Sequence, residues 1–194
     1  MKKITCLLLV LVCAFSCFAC MKAPNTYKQF VEAAKNTSPT NVTLTVKQVQ
    51  AEATLNAKFI TTYAADGSAT IEYTRDEYNE IGSGDSDELI SPVSGTVTCD
   101  KDGNYSDGGA FAGNSPIVSG VAFNFDARKM TGSISADGKV LSAVIKSENT
   151  KAVLGVEIAA DVTLAVTKNE GKIISFTVEY TAAEGHVSIN CFYN

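Results

Sequence analysis

The sequence predicts a mainly β domain: an antiparallel meander forming a half-open barrel or a strongly curved sheet, with one short amphipathic helix at its N-terminal end. Three observations predict this. The spacing of apolar residues changes from helical to alternating at Val42. Short acid-Gly turns recur at Ala65-Asp66-Gly67, Lys101-Asp102-Gly103, Ala136-Asp137-Gly138, Asn169-Glu170-Gly171 and Glu184-Gly185. The stretches between alternating segments are turns rather than crossover helices, which makes the pairing antiparallel.

The chain of 194 residues suits one domain. Sixteen Lys and Arg against 21 Asp and Glu give a net charge of -5, and no basic stripe gathers that would neutralise several phosphates. Nucleic acid is therefore excluded as an expected partner.

The first residues read as an address. Lys2 and Lys3 precede Ile4 to Phe15, a nearly unbroken apolar run, and small residues and cysteine follow. This is the pattern of a secretory signal peptide. A spanning helix needs about 20 apolar residues, and the run is shorter than that. The segment Phe15-Ser16-Cys17-Phe18-Ala19-Cys20 resembles the lipobox of bacterial lipoproteins, particularly those of low-GC Gram-positive bacteria, with Cys17 standing where Leu is usual. The resemblance implies residues 1-19 as the signal peptide, Cys20 as the lipid attachment site and residues 20-25 as a lipidated tether. Cutting at Cys17 and simple secretion are the alternatives. Two acyl chains on Cys20 would anchor the protein on the outer face of the cell membrane, since each buried methylene contributes about 0.8 kcal/mol. Loss of residues 1-19 removes Lys2 and Lys3 and no acid, leaving 14 bases against 21 acids and a net charge of -7.

From residue 26 to 194 the chain reads as a single β-rich domain. Thr26-Tyr27-Lys28-Gln29 has the form of a capping box, in which hydroxyl and amide satisfy each other's exposed backbone donors. Behind it, Tyr27, Phe30, Val31 and Ala34 form one apolar stripe, with Lys28, Glu32 and Lys35 toward water. A helix of two or three turns is not stable alone, so the stripe should cover part of a sheet.

The strands follow, roughly 9 to 11 of them. Opposed residues of an antiparallel hairpin share a face, so each turn can be tested by its register. A three-residue loop at 65-67 pairs Phe59 with Tyr73 and Thr61 with Ile71. The same loop pairs Ile134 with Val140 and Met130 with Val144 at 136-138. At 169-171 it pairs Val166 with Ile174, Leu164 with Phe176 and Val162 with Val178. A two-residue loop at Glu184-Gly185 pairs Tyr180 with Ile189, Val178 with Cys191 and Phe176 with Tyr193. Lys101-Asp102-Gly103 returns the strand from Val97 to Cys99 toward Tyr105. Gly82 to Pro92 and Ser106 to Gly120 read as long loops, and Lys151 to Ala160 as irregular.

Four of the six cysteines, Cys6, Cys13, Cys17 and Cys20, lie in the leader or at the lipid attachment site, leaving Cys99 and Cys191, both expected on the apolar face. In an exported chain they can form one disulfide or pack as reduced thiols, and the sequence leaves both open.

No catalytic motif emerges. His186, the single histidine, reads as a solvated turn residue. Asp100-Lys101-Asp102-Gly103-Asn104 gathers carboxylates, but Gly is fourth where a calcium helix-loop-helix needs it sixth. Asp85, Asp87 and Glu88 read as a solvated loop. The expectation is a protein that is not an enzyme, holds no metal and uses no cofactor.

The layout of residues 26 to 194, one amphipathic helix followed by a long antiparallel meander in an exported chain, resembles the LolA/LppX-like superfamily of lipoprotein carriers and lipid-binding lipoproteins. In that family a half-open barrel wraps an apolar concavity. The resemblance implies that the inward residues Phe59, Tyr73, Leu164, Phe176, Tyr180 and Ile189 line the concavity or the core beneath it, and that the partners are the membrane, through the lipid anchor, and a hydrophobic ligand. The alternative is a cell-surface structural or protein-interaction module whose core is filled by its own side chains. Small inward residues such as Ala57 and Gly132 leave room, whereas Phe59, Tyr73, Phe176 and Tyr193 fill it.

Overall fold

A computed structural model describes residues 27-50, 54-79, 88-108, 124-183 and 185-194. The expected leader, Cys20, the tether and Thr26 of the capping box lie outside the described residues. Among the described residues, nine strands form one antiparallel sheet that is not closed. They are β1 (Asn41–Val49), β2 (Thr54–Tyr63), β3 (Ala69–Asn79), β4 (Glu88–Cys99), β5 (Met130–Ile134), β6 (Val140–Ile145), β7 (Val162–Asn169), β8 (Lys172–Ala182) and β9 (Gly185–Tyr193). Their order across the sheet is β4-β3-β2-β1-β9-β8-β7-β6-β5. Two meanders therefore meet at the β1–β9 pair, and the chain passes from one edge of the sheet to the other between β4 and β5.

Helix α1 (Lys28–Lys35) packs against β8. Its expected stripe is buried at Tyr27 and Phe30 and half-buried at Val31 and Ala34, and Ala33 joins it. Full burial of a side chain such as Phe30 contributes roughly 1.5–3 kcal/mol. The Phe30 ring meets Phe125 edge-on, at 6.1 Å between centroids, and Lys168 Nζ lies 5.6 Å from the Phe30 centroid. Tyr27 donates its hydroxyl to the carbonyl of Gly132 in β5.

The 65-67 turn has the expected register: Phe59 opposes Tyr73, Thr61 opposes Ile71, and Gly67 has φ +88°. The turn at 101-103 likewise brings Tyr105 opposite Cys99. The other three hairpins differ from expectation. Between β5 and β6 the loop has four residues, because Ser135 and Val140 pair (Ser135 N–H to Val140 O, 2.8 Å) and Lys139 joins the turn. Met130 then opposes Ile145 and Ile134 opposes Leu141. This one-residue slip turns β6 over. Leu141, Ala143 and Ile145 are buried, whereas Val144 is 43% exposed.

Between β7 and β8 the loop has two residues, Glu170 at φ +49° and Gly171 at φ +74°, the signs a type I′ turn requires. A bulge follows: Lys168 opposes Ile173 but Thr167 opposes Ser175, so Ile174 is the extra residue and is 39% exposed. Val166 consequently faces Phe176, and Leu164 faces Val178. At the last turn Ala182 pairs with Gly185, setting Tyr180 against Val187, Val178 against Ile189 and Phe176 against Cys191. The expected faces survive there because the partners moved by two.

Two expected loops hold regular structure. Glu88 to Pro92, placed in a loop by its neighbours' Gly and Ser content, belongs to β4. The expected irregular region, Lys151 to Ala160, begins inside helix α2 (Thr150–Leu154), which follows a 3-10 turn (Ser147–Asn149) and ends at Gly155 with φ +79°. Thr150 is fully buried, and its hydroxyl donates to Ser147 O and accepts from Ile158 N–H. That polar pairing replaces the apolar periodicity that would have marked a helix in the sequence.

Candidate functional site

One face of the sheet carries the apolar residues, and the register draws them into rows across the strands. One row runs Gly95, Tyr73, Phe59, Leu44, Cys191, Phe176, Val166, Leu141. The next runs Val93, Arg75, Ala57, Val46, Ile189, Val178, Leu164, Ala143. Tyr180, opposite Val187, lies one row further along. All six residues expected to line a concavity thus share this face. Phe59, Leu164, Phe176 and Ile189 are no more than 4% exposed and form core, while Tyr73 and Tyr180 are half-buried.

Except for Tyr180 in β8, the half-buried members of these rows lie on β1 to β4, in the same rows as buried core residues. Val46, Ala57 and Tyr73 pack at the margin of the core, and Val93 is 37% exposed. Arg75 sits among them, its guanidinium carbon 5.8 Å from the centroid of the Tyr73 ring, a cation-π distance. Gly95 makes room for that ring, because a Cβ built on it would stand 2.6 Å from Tyr73 Oη. The patch is apolar with one cation in it. Arg75 and Val93 were not singled out from the sequence. The available signal was parity: Arg75 follows Tyr73 by two in β3, a charge at an inward position.

The opposite face of the same strands is polar. Two adjoining grooves of about 360 and 410 Å³ cross it and share Lys58 and Thr74. Glu72, Ser94 and Thr96 line one, Thr45, Asn56 and Asp76 the other, and Asp76 accepts from both nitrogens of Asn56.

Cys99 and Cys191 do not bridge. Both are free thiols, held in β4 and β9 with β3, β2 and β1 between them. Cys191 faces the core as expected, and burial pushes its thiol up to about 12, with a hydrogen bond to Tyr193 opposing. The Asp100 carboxylate holds its own turn. It accepts from Asn104 Nδ2 and from the N–H groups of Asp102 and Asn104, and these bonds, the Asn104 amide first, keep it below the usual carboxylate range. His186 is exposed beside the last turn, its Nδ1 3.4 Å from Thr181 Oγ1. Among the described residues no three His, Cys, Asp or Glu side chains stand together as a metal site would require, and no helix is long and apolar enough to cross a membrane. Neither the protein-family models nor the curated proteins include a match to this chain.

Proposed function

We propose that the protein is an exported, membrane-anchored, non-catalytic lipoprotein that binds an amphiphilic hydrophobic ligand against the inner face of β1 to β4. The observation that carries this reading is the half-buried apolar margin of Val46, Ala57 and Tyr73, bordered by the exposed Val93, continuous with the core in an open sheet and containing one cation, Arg75. Apolar side chains there would take an alkyl chain, at roughly 25 cal/mol per Å² removed from water, and Arg75 would favour an acidic head. The layout shared with the LolA/LppX-like superfamily supports the same reading, as does the lipobox-like segment ending at Cys20.

The second reading, a surface module with a self-filled core, draws on the burial of Phe59, Leu164, Phe176 and Ile189. Native mass spectrometry of residues 21-194, purified gently and again after organic extraction, separates the two. Extra mass that extraction removes, and that falls in an Ala57→Trp variant, supports ligand binding. Protein that remains bare after incubation with membrane lipids favours the self-filled core. Anchoring is tested separately: Cys20→Ala should release the full chain from membranes, and continued attachment would overturn the lipobox reading.

A further inference from the structure

Strand β9 occupies the centre of the sheet although it follows the other eight described strands in chain order. Among the described strands, the only pairing between β1–β4 and β5–β9 is that of β1 with β9, running from Val42 opposite Tyr193 to Val49 opposite His186. Reciprocal backbone bonds between Asn41 and Asn194 close one end of that pair. Ile189 and Cys191 lie buried, each between a β1 and a β8 neighbour: Val46 and Val178 for Ile189, Leu44 and Phe176 for Cys191.

The opposite end of the chain crosses over in the same way. Helix α1 precedes β1 yet packs on β8, where Ile173 N–H donates to Thr37 Oγ1 just beyond the helix, and Phe30 meets Phe125 from the segment ahead of β5. The first meander thus gives its helix to the second, and the second supplies the strand that pairs with β1.

From this placement we infer that β9 is a clasp: the sheet forms as one event, only once residues 185-194 are available, and the slot between β1 and β8 is a binding site whose occupant is this segment of the same chain. Before it arrives, β1 and β8 are both unpaired edges beside an incomplete apolar face, and the long loop closures have been made without the contacts that reward them. A chain still in synthesis therefore stays without its native sheet. For a leader-bearing chain this preserves an unfolded form for export, a consequence that rests on the leader reading, whereas the clasp does not.

The test starts from the full chain with a protease site placed at Ala183, which is exposed at the end of β8. The folded protein is cut, unfolded in denaturant, separated from its C-terminal peptide and returned to buffer with or without a synthetic peptide of residues 185-194. Protease resistance and amide protection in β2 to β4 should return only with the peptide. A large fragment that regains protection in either meander without the peptide overturns the clasp. If the cut chain recovers in neither case, ribosome-arrested forms of the intact chain decide. Resistance should appear only when residue 194 has cleared the ribosome, and a resistant core before β9 emerges overturns the inference.

Discussion

The hydroxyl of Thr37 and the backbone N–H of Ile173 meet at 2.8 Å although 136 positions separate them in the chain. The same hydroxyl donates to Ala33 O at 2.7 Å, so it finishes α1 and gives the Ile173 N–H an acceptor on the side of β8 where pairing with β9 ends at Ser175 and Phe192. The helix end and the strand end each leave a backbone group without its regular partner, and one side chain serves both.

Replacing Thr37 by Val keeps the shape and removes the acceptor. An unsatisfied buried donor costs about 1–3 kcal/mol, so Thr37→Val should lower the urea midpoint accordingly, while Thr37→Ser should stay near the parent. Equal midpoints for all three would show that the bond contributes nothing.

The β5–β6 register makes opposite predictions for adjacent residues. Leu141 is fully buried and Val144 is 43% exposed. Leu141→Ala should cost about 2–5 kcal/mol, and Val144→Lys should be nearly neutral in thermal melts. A severe loss from Val144→Lys would restore the alternative register.

Thiol chemistry should separate the two cysteines of residues 21-194. Native protein at pH 8 should take up one equivalent of a maleimide, at the half-buried Cys99, and a second only in denaturant. Because burial raises the Cys191 thiol to about 12, its contribution to stability is complete below the ordinary thiol value near 9 and is lost as pH rises from there through about 12. Cys191→Ala should flatten that alkaline decline, and an unchanged slope would deny Cys191 its part.

The β7–β8 turn holds a non-glycine residue, Glu170, at φ +49° ahead of Gly171 at φ +74°. Asn suits the first position of a type I′ turn, so Glu170→Asn should raise the melting temperature, and Gly171→Val should lower it because a β-branched residue resists positive φ. A melting temperature insensitive to Gly171→Val would remove the turn assignment.

Much of the fold was legible in local patterns. Alternation from Val42 onward marks strands because a half-buried strand must alternate, and Phe59 opposite Tyr73 follows from a three-residue loop with Gly67 in the left-handed region. The stripe of Tyr27 and Phe30 likewise announced a covered helix face. Of the site, the shared face of Phe59, Tyr73, Leu164, Phe176, Tyr180 and Ile189 could be read by parity.

Elsewhere local chemistry was ambiguous. Ala-Asp-Gly at 136-138 closes a four-residue loop where the same residues at 65-67 close a three-residue one, and Ser135 decides between them by pairing with Val140. Along β8, Ile173 and Ile174 are chemically equivalent, and which is buried depends on the bulge at this point of the strand, with Ile173 N–H bonded to Thr37 from beyond the end of α1.

Neighbours within a few residues suffice to set the strand-forming segments, the helix stripe, the faces of β2, β3 and β9 and the inward position of Cys191. Long-range packing sets the β1–β9 pairing, the separation of Cys99 from Cys191, the division of the apolar face into core and half-open margin, and the seat of α1 on β8. These depend on which distant segments exclude water from one another, and periodicity along a chain carries no record of that choice.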